Sequence, residues 1–159
     1  MKVKKAVNIR EEKYLGLPLI FFMLKGKTFG FKLLIDTSIK KNLIDPCFFK
    51  EWIDYTPKPA TSDDPNSGLA YYPRPLPPPH EKIGAKRVMC KDGVRRACDV
   101  VKLHFTIEDK EYSELFAIDS SLCPYFHFKK SKAVAGVLGT EFLKRHKWVL
   151  DYSEMKLYL

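Results

Sequence analysis

At 159 residues the chain is long enough for one domain, residues 1–159, with a substantial core. Its 45% hydrophobic and 30% charged content excludes a disordered polypeptide. The formal charge of +9 is spread from Lys2 to Lys156 without one dominant cluster, which predicts solvated surface and argues against a dedicated nucleic-acid face.

The first ten residues begin basic but meet Glu11 and Glu12 before any apolar run, so no secretion signal is expected. The longest apolar stretch, Leu15 to Leu24, is interrupted by Gly16 and Pro18 and is about half the length of a membrane-spanning helix. A cytoplasmic protein without membrane contact is the expectation. Leu17 to Leu24 reads as a buried strand, Lys25-Gly26-Lys27 as a tight connection, and Thr28 to Ile35 as the partner strand of a hairpin. That second strand delivers Asp36 where the chain must turn. An apolar run resumes at Asn42-Leu43-Ile44, and Asp45-Pro46 is set to cap and start a short helix reaching Ile53.

From Thr56 to Pro79 the composition changes, with eight of the eleven prolines falling in that stretch. It cannot be a central strand, and an insertion loop over about 56–80, packed along the surface, is predicted. Ala85 to Cys90 and Arg95 to Phe105 flank Asp92-Gly93, the strongest short hairpin signal in the chain. A turn at Glu108-Asp109-Lys110 leads to a strand ending at Ile118. Val134 to Leu138 reads as an interior strand, Thr140 to His146 as a helix capped by Thr140, and Trp148 to Tyr152 with Met155 to Leu159 as a closing hairpin. The fold class expected is mainly β, a closed barrel with one or two short helices.

Two segments carry the chemistry. Leu33-Leu34-Ile35-Asp36-Thr37-Ser38 is an apolar strand ending on a carboxylate and hydroxyls, and Gly136-Val137-Leu138-Gly139-Thr140 is an apolar strand ending on glycine. The four cysteines, Cys47, Cys90, Cys98 and Cys123, lack Cys-x-x-Cys spacing, and the four histidines are scattered. Neither a metal site nor another cofactor is predicted, and the thiols read as ordinary buried side chains. Asp119-Ser120-Ser121 repeats the first motif after another apolar strand, and is read as a turn.

Together, Phe31 to Thr37, the hairpin around Asp92-Gly93 and Gly136 to Lys144 make the chain resemble the retropepsin-like aspartic peptidases, in particular their bacterial single-domain relatives, over about 17–159. The resemblance implies an acid-protease half barrel and a homodimeric endopeptidase acting on a polypeptide substrate. It implies Asp36 from each protomer as the catalytic dyad, with Thr37 bracing the turn and the backbone of Ser38 donating to the carboxylate. Lys91, Asp92 and Gly93 fall where the family has its substrate-covering flap, and Val137, Leu138 and Gly139 where its glycine-ended strand passes the catalytic loop. Ser38 and Ile39 depart from the family's Asp-Thr-Gly followed by a small residue, and a side chain at 38 is expected to crowd the turn. Lys40 and Lys41 stand where retroviral relatives carry acidic residues. The alternative reading is a noncatalytic member that keeps the fold as a protein-binding module.

Overall fold

A computed structural model describes residues 4–12, 16–27, 30–54, 79–122 and 134–159. Among the described residues, eleven strands and two short helices make the chain mainly β. The strands are β1 (Ala6–Asn8), β2 (Arg10–Glu11), β3 (Pro18–Leu24), β4 (Phe31–Ile35), β5 (Leu43–Ile44), β6 (His80–Met89), β7 (Arg95–Ile107), β8 (Lys110–Ile118), β9 (Val134–Leu138), β10 (Val149–Asp151) and β11 (Lys156–Tyr158). Helix α1 (Pro46–Phe48) runs on into a π-helical turn, Phe49–Ile53, and α2 is Thr140–Arg145.

The main sheet closes on itself. Its strands run β3-β4-β9-β5-β8-β7, and β7 returns to β3 through Met23↔Thr106 and Leu24↔Phe105, which completes a six-stranded barrel. Two of the contacts are parallel, β4 with β9 and β5 with β8, while β5 and β9 pair antiparallel between them. Strand β9 therefore slots between the two strands that flank the Asp36 turn, although it follows them by about a hundred residues in the chain.

Strands enclosed in this way are buried on both faces, which is why residues 33–35 of β4 and the whole of β9 read as apolar runs. Leu33 and Ile35 enter the larger core with Phe22, Phe105 and Phe116, and Leu34 enters a second core with Leu43, Val100 and Val137. Strand β7 divides its side chains likewise: Val101, Leu103, Phe105 and Ile107 go to the first core, Cys98 and Val100 to the second. Gly136 is required by close approach, because a methyl there would run into the Leu43 carbonyl oxygen and come within 3.1 Å of the Ile44 Cα.

The termini pair in a smaller sheet of order β1-β11-β10. Strands β1 and β2 are too short and too exposed to leave a sequence pattern, and long-range pairing with β11 and β3 creates them. Helix α1 begins as expected, with the Asp45 carboxylate accepting from the Cys47 N–H at 3.3 Å. Helix α2 differs: its cap is Gly139, and Thr140 is its first residue. The cause is tertiary, since the Thr140 and Glu141 N–H groups donate to the Ile39 and Lys40 carbonyls at 2.8 and 3.1 Å. Backbone from the Asp36 turn thus does the work of a side-chain cap.

The Pro-rich stretch expected over about 56–80 lies almost wholly outside the described residues, and β6 begins at His80. His80 is buried, its ring packed edge-on against Phe49 at 5.2 Å. Cys90 and Cys98 are buried as expected, whereas Cys47 is exposed on α1, and Cys123 is outside the described residues. Among the described residues no helix is long and apolar enough to cross a membrane, and no group of His, Cys, Asp and Glu could hold a metal ion.

Candidate active site

Asp36 is the first residue beyond β4, and its N–H donates to the Leu138 carbonyl at 3.1 Å, continuing the parallel β4–β9 ladder by one step. The strand carrying Val137, Leu138 and Gly139 therefore lies directly beside the carboxylate. Gly139 is needed there: a methyl would meet the Lys40 carbonyl oxygen and stand 2.7 Å from that of Lys41. Its N–H donates at 3.0 Å to the side chain of buried Asn42, which in turn donates to the Leu115 carbonyl at 3.2 Å. Turn, glycine-ended strand and β8 are tied together at this point.

The carboxylate itself is 3% exposed. Its Oδ1 accepts from the Ser38 N–H at 2.9 Å and the Ser38 hydroxyl at 2.6 Å. Its Oδ2 accepts from the Lys91 ammonium at 2.6 Å, in an ion pair whose two side chains are 5% and 17% exposed. Burial works to raise this carboxyl, but the hydrogen bonds from Lys91 and Ser38, with the Lys91 charge, outweigh it and hold the group below the ordinary carboxylate range. Asp36 is accordingly ionised at neutral pH. Tyr152, half exposed in the β10–β11 turn, feels it: burial and the Asp36 charge both raise its phenol.

The crowding expected of Ser38 is not present within one protomer. Residue 38 has no positive φ, and its side chain turns back onto its own carboxylate. Ile39 is buried in the second core with Leu34 and Val88 and anchors the turn from below. Thr37 is exposed. Lys41 is ion-paired with Glu141 at 2.7 Å, and Lys40 is exposed.

Lys91, Asp92 and Gly93 form the tip of the β6–β7 hairpin, with Gly93 at φ 81° where the turn needs it. The tip is docked. Besides the Lys91 ammonium on Asp36, the Lys91 N–H donates to the Asp119 Oδ2 at 2.7 Å, and the Asp92 N–H to the Ser121 hydroxyl at 3.4 Å. Asp92 itself is bound by the Arg96 guanidinium at 2.8 and 2.5 Å. Lys91 was expected on the hairpin but not on the carboxylate. Its only signal was a cation beside an Asp-Gly turn, and 55 residues separate it from Asp36.

Asp119 is completely buried, and its Oδ1 accepts from the Ser121 N–H and hydroxyl at 2.9 and 2.7 Å. It ends β8, three strand steps from β4 in the order β4-β9-β5-β8. At about 4.8 Å per step that is far too distant for the two aspartates of one chain to share a proton. Cys90 and Cys98 lie beneath the hairpin with their Sγ atoms 3.6 Å apart, and burial, the largest influence, pushes the Cys90 thiol up. Comparison with protein-family models and with curated proteins gave no match.

Proposed function

We propose that the chain is a retropepsin-like aspartic endopeptidase that works as a homodimer, with Asp36 from each protomer forming the dyad. The observation that carries the proposal is the junction of Asp36 with Leu138 and Gly139: a nearly buried carboxylate at a loop tip, beside a glycine-ended strand and beneath a hairpin. A single protomer brings one such carboxylate, so the second comes from a symmetric copy. The edge of β10, which pairs with no further strand among the described residues, and the exposed side chains of Val149 and Tyr152, the latter within the field of the Asp36 charge, supply surface for that self-association.

Two carboxylates about 3 Å apart hold one proton between them, because both cannot ionise. The ionised member takes a proton from water as it attacks the peptide carbonyl, and the protonated member donates to the carbonyl oxygen. The Ser38 N–H and hydroxyl fix the carboxylate's orientation, and Thr37 faces outward for the partner. The Lys91 ammonium opposes proton sharing by stabilising the charged form, so it must leave Asp36 before the dyad works. The side chain has the reach to do so because the hairpin tip is held by backbone bonds to Asp119 and Ser121 and not by this ion pair alone.

Assay of unfolded polypeptide with wild type and Asp36→Asn tests the assignment. Cleavage by wild type and none by the variant is expected, and equal cleavage by both sinks it. A second reading draws on the same Lys91–Asp36 pair: a noncatalytic binding domain in which the lysine permanently neutralises the carboxylate. Lys91→Met separates the two, since it raises cleavage if the lysine is a removable brake and leaves an inert protein inert. Sedimentation adds an independent check, because a protomer that never dimerises cannot build the dyad.

A further inference from the structure

Between the Asp36 turn and the β6–β7 hairpin lies a cleft of about 330 Å³, lined by Ser38, Ile39 and Lys40 on one wall and by Arg87, Met89 and Arg95 on the other. Among the described residues no carboxylate lines it. The acids near it are already compensated: Asp36 by Lys91, Asp92 by Arg96 and Glu141 by Lys41. Lys40, Arg87 and Arg95 are exposed, and none of them is ion-paired among the described residues. A second cleft of about 570 Å³ continues from the first through Lys41, Arg87 and Val88 and adds Lys86 and Lys102. Its two carboxylates are also occupied, Glu114 by Arg145 and His146 and Glu141 by Lys41.

The charge is therefore locally concentrated, although the whole chain spreads its cations widely. The wall that carries it is β6, which pairs with β7 on one side and, among the described residues, with no strand on the other. An edge strand offers backbone N–H and C=O groups to an extended peptide, whose alternate side chains then fall about 7 Å apart on one face. Among the described residues no aromatic side chain lines the cleft beside Asp36, so these offer no platform on which bases stack, which favours polypeptide over single-stranded nucleic acid.

We propose that this cleft receives an extended acidic segment of polypeptide, added along β6, with its carboxylates meeting Lys40, Arg87 and Arg95. As the substrate class of the enzyme the proposal rests on the peptidase reading; as a binding preference it is measured without cleavage. Acidic side chains flank the bond presented to Asp36, and they also compete for the Lys91 ammonium that must leave it.

The test is fluorescence anisotropy on the full chain carrying Asp36→Asn, with four labelled probes of equal length: a peptide with Glu at alternate positions, its Gln counterpart, its Lys counterpart and oligothymidylate. The Glu peptide is expected to bind about tenfold or more tightly than the Gln peptide. Combined Lys40→Gln, Arg87→Gln and Arg95→Gln should remove most of that preference. Combined Lys25→Gln, Lys27→Gln and Lys110→Gln, the same charge loss at the opposite end of the barrel, should leave it within about twofold. Equal loss in both triple variants means a general field and overturns the proposal, as does tighter binding of oligothymidylate or no preference for Glu. The two readings fail separately: wild type that prefers the Glu peptide but cleaves nothing loses the peptidase and keeps the cleft, and wild type that cleaves without regard to acidic residues loses the cleft and keeps the peptidase.

Discussion

The Asp36 and Asp119 turns are built alike and differ in what surrounds them. Each aspartate follows the second strand of a hairpin, each N–H donates to the end of a parallel neighbour (Leu138 for Asp36, Ile44 for Asp119, both at 3.1 Å), and each Oδ1 takes the N–H and hydroxyl of the serine two residues on. Even the sequel matches: β9 leads into α2 as β5 leads into α1. The neighbouring strand ends in Gly139 beside Asp36 but in Asp45, occupied with capping α1, beside Asp119. Lys91 reaches Asp36 with its ammonium and Asp119 with its backbone N–H. A side chain can rotate away, whereas a backbone amide leaves only if the hairpin lifts. An identical turn is thus open to chemistry on one side and part of the framework on the other, and the motif alone does not say which.

The largest effect should separate the two on activity. Asp36→Asn is expected to lower peptide cleavage at least about a thousandfold, with only the smaller loss of stability that comes from breaking the Lys91 ion pair. Asp119→Ala should do the reverse, costing about 3 kcal/mol in urea unfolding by stranding the Lys91 and Ser121 amides, while molecules still folded keep their dimer chemistry. If folded Asp119→Ala has lost cleavage as completely as Asp36→Asn, the division of roles is wrong. The strand ends come next. Gly139→Ala should cost about 3 kcal/mol or more because backbone must move, against about 1 kcal/mol for loss of the helix cap in Asp45→Ala; denaturant midpoints would reveal equal costs if the asymmetry is illusory.

A subtler probe is the ionisation of Asp36. Because its folded carboxyl is held down, the Lys91–Asp36 pair adds stability at neutral pH and loses it as pH falls through the depressed value. Lys91→Met should therefore raise the Asp36 titration seen by carboxyl-carbon NMR. The stability gap between it and wild type should close in strong acid, and an unmoved titration would mean that the ion pair is absent in solution. Ser38→Gly is expected to have the smallest effect. It removes the hydroxyl donor, moves the same titration upward by less than Lys91→Met, and raises cleavage modestly; unchanged cleavage would leave the serine without influence on the dyad.

Much of this was written locally in the chain. Double-sided burial made β4 and β9 legible as apolar runs, alternation revealed β7, and Asp92-Gly93 fixed the hairpin, because those signals depend on near neighbours. The candidate site was legible where two such runs end, on Asp36 and Gly139. What escaped depends on distant partners. Thr140 looked like a cap because the Ile39 and Lys40 carbonyls that replace its side chain are invisible from its own segment. Ser38 is a local exception: its backbone donation to Asp36 was expected, but the second bond from its hydroxyl, which turns the side chain out of the crowded position, was not. The approach of Lys91 and the pooling of Lys40, Arg87 and Arg95 in one cleft arise only when a hairpin folds over a turn.

The carbonyls of Ile39 and Lys40 have a mechanical consequence. By closing the first turn of α2 they weld the acidic loop to a rigid rod, so that displacing this loop would mean unwinding the start of the rod as well. On the peptidase reading, what opens and shuts is then the Lys91 side chain, swinging over an anvil that stays put.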